Sequence, residues 1–565
     1  MKLKKWLAMP LAVMLAGGTV LAGCGNDKEE EGKAPPAAGQ SAGASAKPAV
    51  KKDITVSIYD RGVVSQDEGT IENNRWTKWI NENGPANVKF VAIPRTNPAE
   101  KINVLYASGS APDLLFEYAP TNRNPLYDQK QLMPIDDLIE KHSVEYKKLL
   151  QENPMLKKAG TKSDGKLYEF GRISWVEPNR GILIRTDWLE KLKLEMPKTT
   201  DDLYKVVKAF AEQDPDGNGA KDTFGLVVSG NAEATIKQVF GATTSWVVKD
   251  GELVMDWDSR TDYFTFLKKL YDEGIIDRDF ANDKNGAKAK QDFINGKVGI
   301  YPYLDGNSMS ILQNLVDPLK KNVATANVTF LAYPQSKAGA FVPTLQNPVQ
   351  MTAVVSATAK NPDAVIKYVD FLVKEDTMKT LTFGIEGTHY KMSDGVPEII
   401  DAAKLKKEVS DISGDMRMLQ NTGLTYGSSD VPLVKYKSDP RKEEYQKFYD
   451  LYRNTYLTLD KPYSELTVSE HMPALPKDLA TIDTNAGKAI GDIWLKAVVS
   501  GEKYKVEQAL KDAQDIWQKS NGKSIEDWYK NWYSTNKNDA FLAKDIFVVV
   551  KEQQEKYAKI MQEIK

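Results

Sequence analysis

Cysteine and histidine are the scarcest reactive residues of this chain. Its 565 residues include one cysteine, Cys24, and three histidines, His142, His389 and His471. A single thiol allows no intramolecular disulfide, and the histidines are too scattered for a recognisable metal-ligand spacing. The sequence also has no His-Glu-x-x-His, Gly-x-Ser-x-Gly or Walker motif. We therefore predict that the protein is not an enzyme.

The chain also lacks a charge excess of either sign. It has 76 Lys and Arg residues against 78 Asp and Glu residues, a formal net charge of -2. Because no basic excess is available to neutralise phosphates, nucleic acid is excluded as a partner. With so many acidic residues, chance pairs of carboxylates are certain, so such pairs do not indicate a glycosidase.

Long apolar runs are absent except at the start of the chain. Lysines at positions 2, 4 and 5 precede an apolar run over residues 6–20, followed by small residues. This pattern is typical of a secretory signal, and the run is too short for a membrane-spanning helix. Removing residues 1–23 takes away three lysines and no acid, which changes the formal charge from -2 to -5.

The sequence Leu-Ala-Gly-Cys at residues 21–24 resembles the lipobox of bacterial lipoproteins. The resemblance implies a signal peptide over residues 1–23 and a thiol at Cys24 that carries a diacylglyceryl group (fatty chains such as palmitate). The mature protein would then be anchored at the extracytoplasmic face of the cell membrane. The alternative is an ordinary secretory cut at Ala22 or Gly23 with a bystander cysteine.

The mature chain begins with a predicted linker and continues with a large folded body. Residues 24–52 are mostly Glu, Lys, Pro, Ala, Gly and Ser, which cannot bury enough surface to become ordered. The remaining ~510 residues are too many for one core, so we expect two large lobes.

Hydrophobic periodicity predicts an α/β protein. Strand patterns alternate with helical patterns over the first hundred residues of the body, and the last ~180 residues are predicted to be mostly helical. This alternation favours a mainly parallel sheet, in which ligands bind beyond the carboxyl ends of strands. The predicted strands lie at 54–58, 87–93 and 112–116, the helices at 70–81, 97–108 and 133–142, and the ligand loops at 60–65, 93–97 and 117–124.

Six segments occur in an order that indicates a family. They are residues 107–116 (ASGSAPDLLF), 185–189 (RTDWL), 197–203 (PKTTDDL), 295–299 (NGKVG), 360–364 (KNPDA) and 384–390 (GIEGTHY). Behind a lipobox, this order resembles the extracellular solute-binding proteins, family 1, the sugar-capturing lipoproteins of ABC importers. The resemblance runs from about residue 53 to about residue 535 and is strongest to the long subgroup with a helical C-terminal part.

The resemblance implies a two-lobe periplasmic-binding-protein-like (type II) fold that closes on its ligand by hinge rotation. The expected N-terminal lobe comprises residues 53–176 and 334–383, and the C-terminal lobe residues 177–333 and 384–565. Chain crossings are expected near 174–183, 328–334 and 383–387. The protein would act as a monomer that captures a carbohydrate, expected to be an oligosaccharide, and delivers it to an ABC permease.

Sugar recognition needs flat apolar faces and planar polar groups, and we expect both on the loops between the lobes. For any one candidate, a core or surface role is an equal alternative. Arg61, Arg123 and Arg180 would suit an acidic saccharide if they converge. The candidate ligand-binding residues are Tyr118, Asn122, Arg123, Trp175, Glu177, Asn179, Arg180, Trp246, Tyr303, Asp305 and His389.

One loop has the spacing of a calcium site. Oxygen donors stand at loop positions 1, 3, 5 and 9, with Gly219 at position 6 and the Ala220 carbonyl at position 7. Position 12 is glycine instead of glutamate, and Thr223 is the candidate for an additional oxygen. We predict a structural Ca²⁺ site remote from the sugar; the alternative is a polar turn. The side-chain donors are Asp214, Asp216, Asn218 and Asp222.

The sequence is also compatible with two other functions. A surface glycoside hydrolase or polysaccharide lyase would share the sorting signal, and turnover of oligosaccharides would identify it. A solute-binding protein of the same fold could carry a peptide or another solute instead of a sugar.

Overall fold

The computed structural model describes residues 50–242, 246–345, 348–393, 396–421, 432–436, 438–458, 460–461, 475–536 and 543–564. The predicted signal peptide, Cys24 and all but the last residues of the predicted linker lie outside this range, as does His471. Within it, no helix combines the length and the apolar character that crossing a bilayer requires.

The strands of the described residues form two separate sheets and two hairpins. In chain order they are β1 (Lys52–Asp60), β2 (Ala86–Pro94), β3 (Leu114–Phe116), β4 (Glu169–Ile173), β5 (Arg180–Arg185), β6 (Phe224–Leu226), β7 (Trp246–Lys249), β8 (Glu252–Met255), β9 (Val298–Leu304), β10 (Val328–Phe330), β11 (Val349–Val355), β12 (Tyr390–Ser393) and β13 (Val396–Ile399). The first sheet has the order β2-β1-β3-β11-β4 and the second β10-β5-β9-β6. The hairpins are β7–β8 and β12–β13.

Both sheets are mixed, whereas the sequence predicted mainly parallel pairing. In the first sheet β1 runs parallel to β2 and β3, but β11 runs antiparallel to β3 and to β4. β11 comes from a distant part of the chain, so no local crossover fixes its direction. Because β4 and β3 both oppose β11, the carboxyl ends of β1, β2, β3 and β4 lie at one edge of the sheet.

The helices cover these sheets and make up most of the chain after β13, as predicted. They are α1 (Arg75–Asn83), α2 (Pro98–Ala107), α3 (Pro120–Asp128), α4 (Asp136–His142), α5 (Glu145–Glu152), α6 (Pro154–Gly160), α7 (Thr186–Leu192), α8 (Thr200–Glu212), α9 (Asn231–Val239), α10 (Asp258–Asp272), α11 (Ala287–Ile294), α12 (Ser308–Ile311), α13 (Asp317–Asn322), α14 (Pro362–Val373), α15 (Glu375–Phe383), α16 (Ala402–Leu405), α17 (Asp411–Ser413), α18 (Pro432–Lys435), α19 (Lys442–Tyr456), α20 (Lys477–Val499), α21 (Val506–Lys519), α22 (Gly522–Asn536) and α23 (Ala543–Ile564).

Capping residues set helix boundaries where periodicity alone does not. The helix predicted over 70–81 begins only at Arg75, because the Asn74 side chain accepts hydrogen bonds from the first-turn N–H groups of Trp76 and Thr77. The predicted capping box of α8 is confirmed between Thr199 and Asp202. The predicted loop 117–124 instead enters α3 at Pro120, a favourable first helical residue.

Two apolar cores underlie the two sheets. Val56 and Val354 lie in the first core, and Ile182 and Ile300 in the second. The residue ranges predicted for the two lobes stay a prediction, but the packing of the C-terminal part differs from them. Val409, Met418 and Val550, which the sequence assigned to the C-terminal lobe, pack in the first core. The Met418 carbonyl there accepts a hydrogen bond from Thr352 of β11.

Candidate functional site

A tyrosine pair lies at the carboxyl edge of the first sheet. Tyr59 near the end of β1 and Tyr118 just after β3 stack with ring centroids 5.8 Å apart and ring planes 3° apart. The Tyr118 hydroxyl donates to Asp415 Oδ1 over 3.2 Å. Asp415 also accepts two hydrogen bonds from Arg61, at 2.6 and 2.9 Å. The edge that sequence reasoning assigned to ligand thus carries stacked rings and a charged pair.

Three further guanidinium groups approach this tyrosine pair. Arg95 follows β2 and lies 4.9 Å from the Tyr59 ring centroid and 5.5 Å from that of Tyr118. Arg172, on β4, lies 6.0 Å from the Tyr118 ring centroid. Arg417 lies in the 3₁₀ turn Gly414–Arg417, beside Arg172 and Tyr118. We call Arg61, Arg95, Arg172 and Arg417 the strand-end arginine cluster.

Buried Arg123 stabilises the backbone at this edge of the sheet. The residue is 2% exposed, and its guanidinium donates to the backbone carbonyls of Glu117 and Tyr118, both at 2.7 Å. It also forms an ion pair with buried Glu169, to which Lys162 donates at 2.7 Å. Burial alone would raise the pKa of Glu169, but these two cations lower it. Arg123 therefore fixes the backbone of Tyr118.

Asn122 also supports the Tyr118 loop. Its side-chain amide donates to Glu117 Oε2 over 3.0 Å. Glu117 is fully buried, and its other oxygen accepts from the Ala119 N–H. This network holds the turn between β3 and α3.

The first chain crossing is locked by an ion pair with α19. Glu177 Oε1 accepts from Arg453 at 2.9 Å and from the Tyr449 hydroxyl at 2.8 Å. Trp175 is 5% exposed and lies beneath Arg453, whose guanidinium carbon is 5.4 Å from the ring centroid. Both predicted residues are thus tied to the helical C-terminal part.

The first crossing is hydrogen-bonded to a second one, which the structure places between β10 and β11, mostly after the predicted crossing near 328–334. The Asn179 N–H donates to the Thr344 carbonyl at 3.1 Å, and the Thr344 hydroxyl donates to Asn179 Oδ1 at 2.9 Å. Buried Gln238 donates to the same hydroxyl at 2.8 Å and accepts from the Thr344 N–H and the Tyr333 hydroxyl, each at 3.1 Å. The two crossing segments are therefore paired with each other, as the isolated antiparallel bridge between Pro178 and Leu345 also shows.

The predicted residues around the second sheet do not converge on the tyrosine pair. Arg180 donates to the Asn231 carbonyl at 3.2 Å and to Thr235 Oγ1 at 3.3 Å. Tyr303 is 4% exposed and belongs to the second core. Trp246 lies in the hairpin β7–β8 and packs on Tyr529 of α22, with ring centroids 4.8 Å apart.

Asp305 and His389 have local partners. Asp305 Oδ1 accepts from the Asn307 N–H and so stabilises the turn after β9. His389 is fully buried; its Nδ1 accepts from the Ile385 N–H at 3.0 Å, and its Nε2 lies 3.1 Å from Glu408 Oε2. Gly384 adopts the left-handed φ of 79°, and a Cβ there would lie 2.5 Å from His389 Nδ1. His389 thus packs the turn that follows α15.

Sequence reasoning found Tyr118 and Arg61 at this edge but missed most of their neighbours. Arg123 and Arg180, suggested as partners of Arg61, do not join it. The sequence could have predicted Arg95, because this residue lies in the predicted ligand loop 93–97. No local signal marks the remaining missed residues, which are Tyr59, Arg172, Asp415 and Arg417.

The predicted calcium loop forms a compact acidic turn. Asp214 accepts from the N–H groups of residues 217–219, at 3.0, 3.0 and 3.1 Å. The Asn218 amide donates to Asp216 at 2.9 Å and to Asp222 at 3.0 Å, so it lies between the two carboxylates. Gly219 has the left-handed φ of 77° that the predicted sharp turn requires.

Charge crowding in this turn shifts one pKa upward. Burial, the hydrogen bond with Asp214 and the charges of Asp222 and Asp214 together raise the pKa of Asp216. Lys297 partly compensates by pairing with Asp222 at 3.0 Å. Thr223 is buried and donates to the Phe210 carbonyl, so its hydroxyl serves the end of α8. Across the described residues, no three His, Cys, Asp or Glu side chains form a metal-binding cluster.

Known proteins resemble this chain over most of its length. "Lipoprotein LipO" of Bacillus subtilis is 25% identical over 549 residues, which is 94% of this chain and 99% of that protein. The "polygalacturonan/rhamnogalacturonan-binding protein YtcQ" of the same organism is 27% identical over 437 residues, covering 74% of this chain and 82% of the relative.

A solved structure shares the fold. The Streptococcus pneumoniae ABC-transporter substrate-binding protein FusA, an EF-hand mutant in complex with fructo-nystose, superimposes with a TM-score of 0.60 at 18% identity. The match covers 86% of this chain and 100% of that one. The predicted two-lobe solute-binding fold is thereby confirmed at the level of architecture.

A family model locates the resemblance along the chain. The model described as "Bacterial extracellular solute-binding protein" matches residues 69–379, which is more than half of the chain. This range contains the strands of both sheets except β1, together with the two hydrogen-bonded crossings. The chain therefore belongs to the bacterial extracellular solute-binding protein family.

Proposed function

We propose that this protein is the substrate-binding subunit of an ABC importer that captures an oligosaccharide and delivers it to a membrane permease. The observation that carries the proposal is family membership together with two separately packed cores joined by hydrogen-bonded crossings. Two rigid bodies on a paired hinge suit closure around a solute, which a permease can distinguish from the open form. The names of YtcQ and the FusA complex support a saccharide as cargo.

The ligand would bind at the carboxyl edge of the first sheet and be enclosed by the second lobe. Tyr118 is half-buried and offers aromatic surface for the C–H face of a sugar ring, while Tyr59, which is 1% exposed, stacks behind it and holds its ring in place. Asn122 and Arg123 would act by holding the Tyr118 backbone. Trp175 and Glu177 would set the crossing geometry, and Tyr303 and His389 would act as packing residues.

The protein would work as a lipid-anchored molecule outside the cytoplasm. The sequence at residues 21–24 and the name of the relative LipO support a diacylglyceryl group on Cys24. Two acyl chains hold a protein stably at a membrane, whereas one chain gives only reversible binding. Mass spectrometry of the protein from its native membrane tests this: an unmodified Cys24 thiol in the mature chain would contradict it.

We also propose that the acidic turn binds Ca²⁺ in a stabilising role. Asp214, Asp216 and Asp222 supply hard carboxylate oxygens, and Asn218 and the Ala220 carbonyl complete the set. The raised pKa of Asp216 fits this proposal because a bound cation would relieve the repulsion among the three acids. The proposed ligand set leaves out Thr223, whose buried hydroxyl donates to the Phe210 carbonyl.

A thermal-shift and calorimetric screen of the purified mature protein against plant and algal oligosaccharides tests the cargo. A saccharide that binds with one-to-one stoichiometry and raises the melting temperature is the expected result, because a ligand that binds only the folded state stabilises it. Chromatography of the same mixtures tests the rival: cleaved or unsaturated products would make the protein a hydrolase or lyase. Binding of peptides but of no saccharide would leave the solute-binding role intact and replace the proposed saccharide with a peptide.

A further inference from the structure

The C-terminal helix α23 contacts both apolar cores. Ile546, Val549 and Val550, in the first half of the helix, pack in the first core. Tyr557, about 16 Å beyond Ile546 along the helix axis, packs against the second core. One helix therefore bridges the two cores by noncovalent contacts, in addition to the crossing segments that join them covalently.

Between these two contacts, α23 is hydrogen-bonded to the backbone of the first crossing. The Gln553 side chain is buried, with 6% exposure. Its Oε1 accepts from the Val176 N–H at 2.6 Å, and its Nε2 donates to the Ser174 carbonyl at 2.8 Å. The side-chain amide thus satisfies a donor and an acceptor of the crossing, as the backbone of a neighbouring strand would. Movement of the crossing away from Gln553 would break both hydrogen bonds.

The second half of α23 is fixed to α19. The Tyr557 hydroxyl donates to Asp450 Oδ1 at 2.6 Å and accepts from Gln446 Nε2 at 2.9 Å. The guanidinium carbon of Arg453 lies 4.5 Å from the Tyr557 ring centroid, and the same arginine pairs with Glu177 of the first crossing. The α19 side chains therefore hold both the end of α23 and the crossing beside it.

Helix α19 is bound in turn to the second sheet. The Tyr456 hydroxyl accepts from the Ile182 N–H at 2.8 Å and donates to the Leu331 carbonyl at 3.0 Å. Ile182 lies on β5, and Leu331 directly follows β10. The helix α19 therefore belongs with the second core, whereas the first half of α23 is embedded in the first core. Rotation of one core against the other must shift α23 relative to α19 or to the crossing.

We propose that α23 is a strap across the hinge, which holds one arrangement of the two lobes and opposes their rotation. The hydrogen bonds of Gln553 and Tyr557 favour the fastened arrangement, and rotation breaks them. Each hydrogen bond of this kind changes the population of the rotated arrangement about fivefold. This inference rests on the proposed function, in which the lobes rotate around a ligand, and it names the element that controls the rotation.

Distances between spin labels on the two lobes test the strap in the ligand-free mature protein. Cys24→Ser removes the single cysteine, so the labels attach only at Lys89→Cys on β2 and Lys205→Cys on α8, both exposed positions. Gln553→Ala removes both hydrogen bonds to the crossing. It should raise the population of label distances outside the main wild-type peak at least about tenfold, as measured by double electron–electron resonance. Tyr557→Phe keeps the ring and should raise that population about fivefold.

Gln508→Ala is the matched control. Gln508 is an exposed glutamine of α21 whose amide donates to Asp512 at 2.7 Å, outside the strap. Its replacement should leave the distance distribution unchanged. Hydrogen exchange separates a loosened strap from a general loss of stability. In Gln553→Ala, exchange should accelerate at residues 174–176 and stay at the wild-type rate in β1 and β9, and melting temperatures of all variants confirm that they fold.

Two outcomes would overturn the inference. Identical distance distributions in the wild type, Gln553→Ala and Tyr557→Phe would mean that α23 does not control the lobes, even if exchange at the crossing increases. An equal change in Gln508→Ala would show that the effect does not come from the strap. A broader distribution in the two strap variants, combined with a glycan screen in which nothing binds, would support the strap and remove the proposed saccharide cargo.

Discussion

The Tyr118 hydroxyl donates a hydrogen bond of 3.2 Å to Asp415 Oδ1, although 297 positions separate the two residues in the chain. The same carboxylate holds Arg61, which follows the neighbouring strand. One acid from the helical C-terminal part therefore fixes two side chains at the sheet edge where we place the ligand. This contact couples the stability of the turn Gly414–Arg417 to the geometry of the binding edge.

Asp415→Asn should lower the free energy of unfolding by about 1–2 kcal/mol, because a charge-assisted pair with a buried acid is replaced by a weaker neutral contact. The expected loss stays at this level because the Arg61 side chain is 44% exposed and solvent screens the pair. Urea unfolding measures the difference. The control Asp411→Asn removes the pair of Asp411 with exposed Lys406 and should cost less than about 0.5 kcal/mol. Equal losses in the two variants would contradict the special role of Asp415.

Thr344→Val should destabilise the crossings by about 1–3 kcal/mol, because the Gln238 side-chain N–H and Asn179 Oδ1 both lose the hydroxyl with which they pair. Thr344→Ser keeps the hydroxyl and is the matched control. Urea unfolding of both variants checks the prediction. If the valine and serine variants unfold at the same denaturant concentration, the hydroxyl is not what joins the crossings.

Glu177→Gln should cost about 3 kcal/mol, because removing one member of a buried pair leaves the charge of Arg453 uncompensated. Both side chains are largely buried, with 5% exposure for Arg453 and 14% for Glu177. Glu444→Gln tests a more exposed pair, with Arg441, and should cost less than about 0.5 kcal/mol. Chemical denaturation of the two variants gives the comparison. If Glu177→Gln lowers the free energy of unfolding by less than Glu444→Gln does, the ion pair with Arg453 does not hold the crossing in place.

The stability that Glu169 contributes should depend on pH. Burial by itself would raise the pKa of this carboxyl. The charges of Arg123 and Lys162 outweigh that effect and hold the pKa below its ordinary value of 4.5. A depressed native pKa gives stability that is fully present above the unfolded-state pKa and is lost as pH falls through the native value. The difference in unfolding free energy between wild type and Glu169→Gln should therefore be largest near neutral pH and shrink below pH 4.5.

Unfolding curves at several pH values measure this difference. Glu140→Gln is the control, because Glu140 is 70% exposed and its pair with Lys147 lies at the surface. It should change stability little at any pH. A Glu169→Gln difference that stays constant from neutral pH down to strong acid would contradict the linkage.

Calcium should stabilise the protein through the acidic turn. At a concentration of about 100 times its Kd, Ca²⁺ should add about 2.7 kcal/mol to the unfolding free energy, and a chelator should remove this gain. Asp216→Ala should abolish the response, whereas Glu195→Gln, an exposed acid outside the turn, should retain it. Differential scanning calorimetry with calcium and with chelator provides the measurement. If neither calcium nor chelator changes the melting temperature, the acidic turn is not a stabilising calcium site.

Lower pH should weaken calcium binding before the fold itself is affected. The pKa of Asp216 is raised, so this carboxyl takes up a proton at a higher pH than an ordinary aspartate, and the proton competes with the cation. Calcium titrations across the acidic range should show a falling affinity. A pH-independent affinity would mean that Asp216 is not a ligand.

The sequence by itself determined the local features of this protein. Alternating apolar residues specified β1 and β2, and the Thr199 and Asp202 side chains specified the start of α8 through contacts three residues apart. Oxygen donors at fixed spacing predicted a sharp turn at Gly219, and the left-handed backbone confirms that turn. Each of these features depends on neighbours in the chain, and therefore a single sequence reveals it.

Only the tertiary structure decided which charged residues share the binding edge. Arg123 follows β3 as Tyr118 does, yet it turns into the interior because Glu169, forty-six positions later, compensates its charge there. Arg417 and Asp415 reach Tyr118 because their turn packs on β11, whose antiparallel entry no local pattern specifies. Contacts between distant segments depend on how whole sheets and helices pack. Local propensity fixes the elements, and packing fixes which side chains meet.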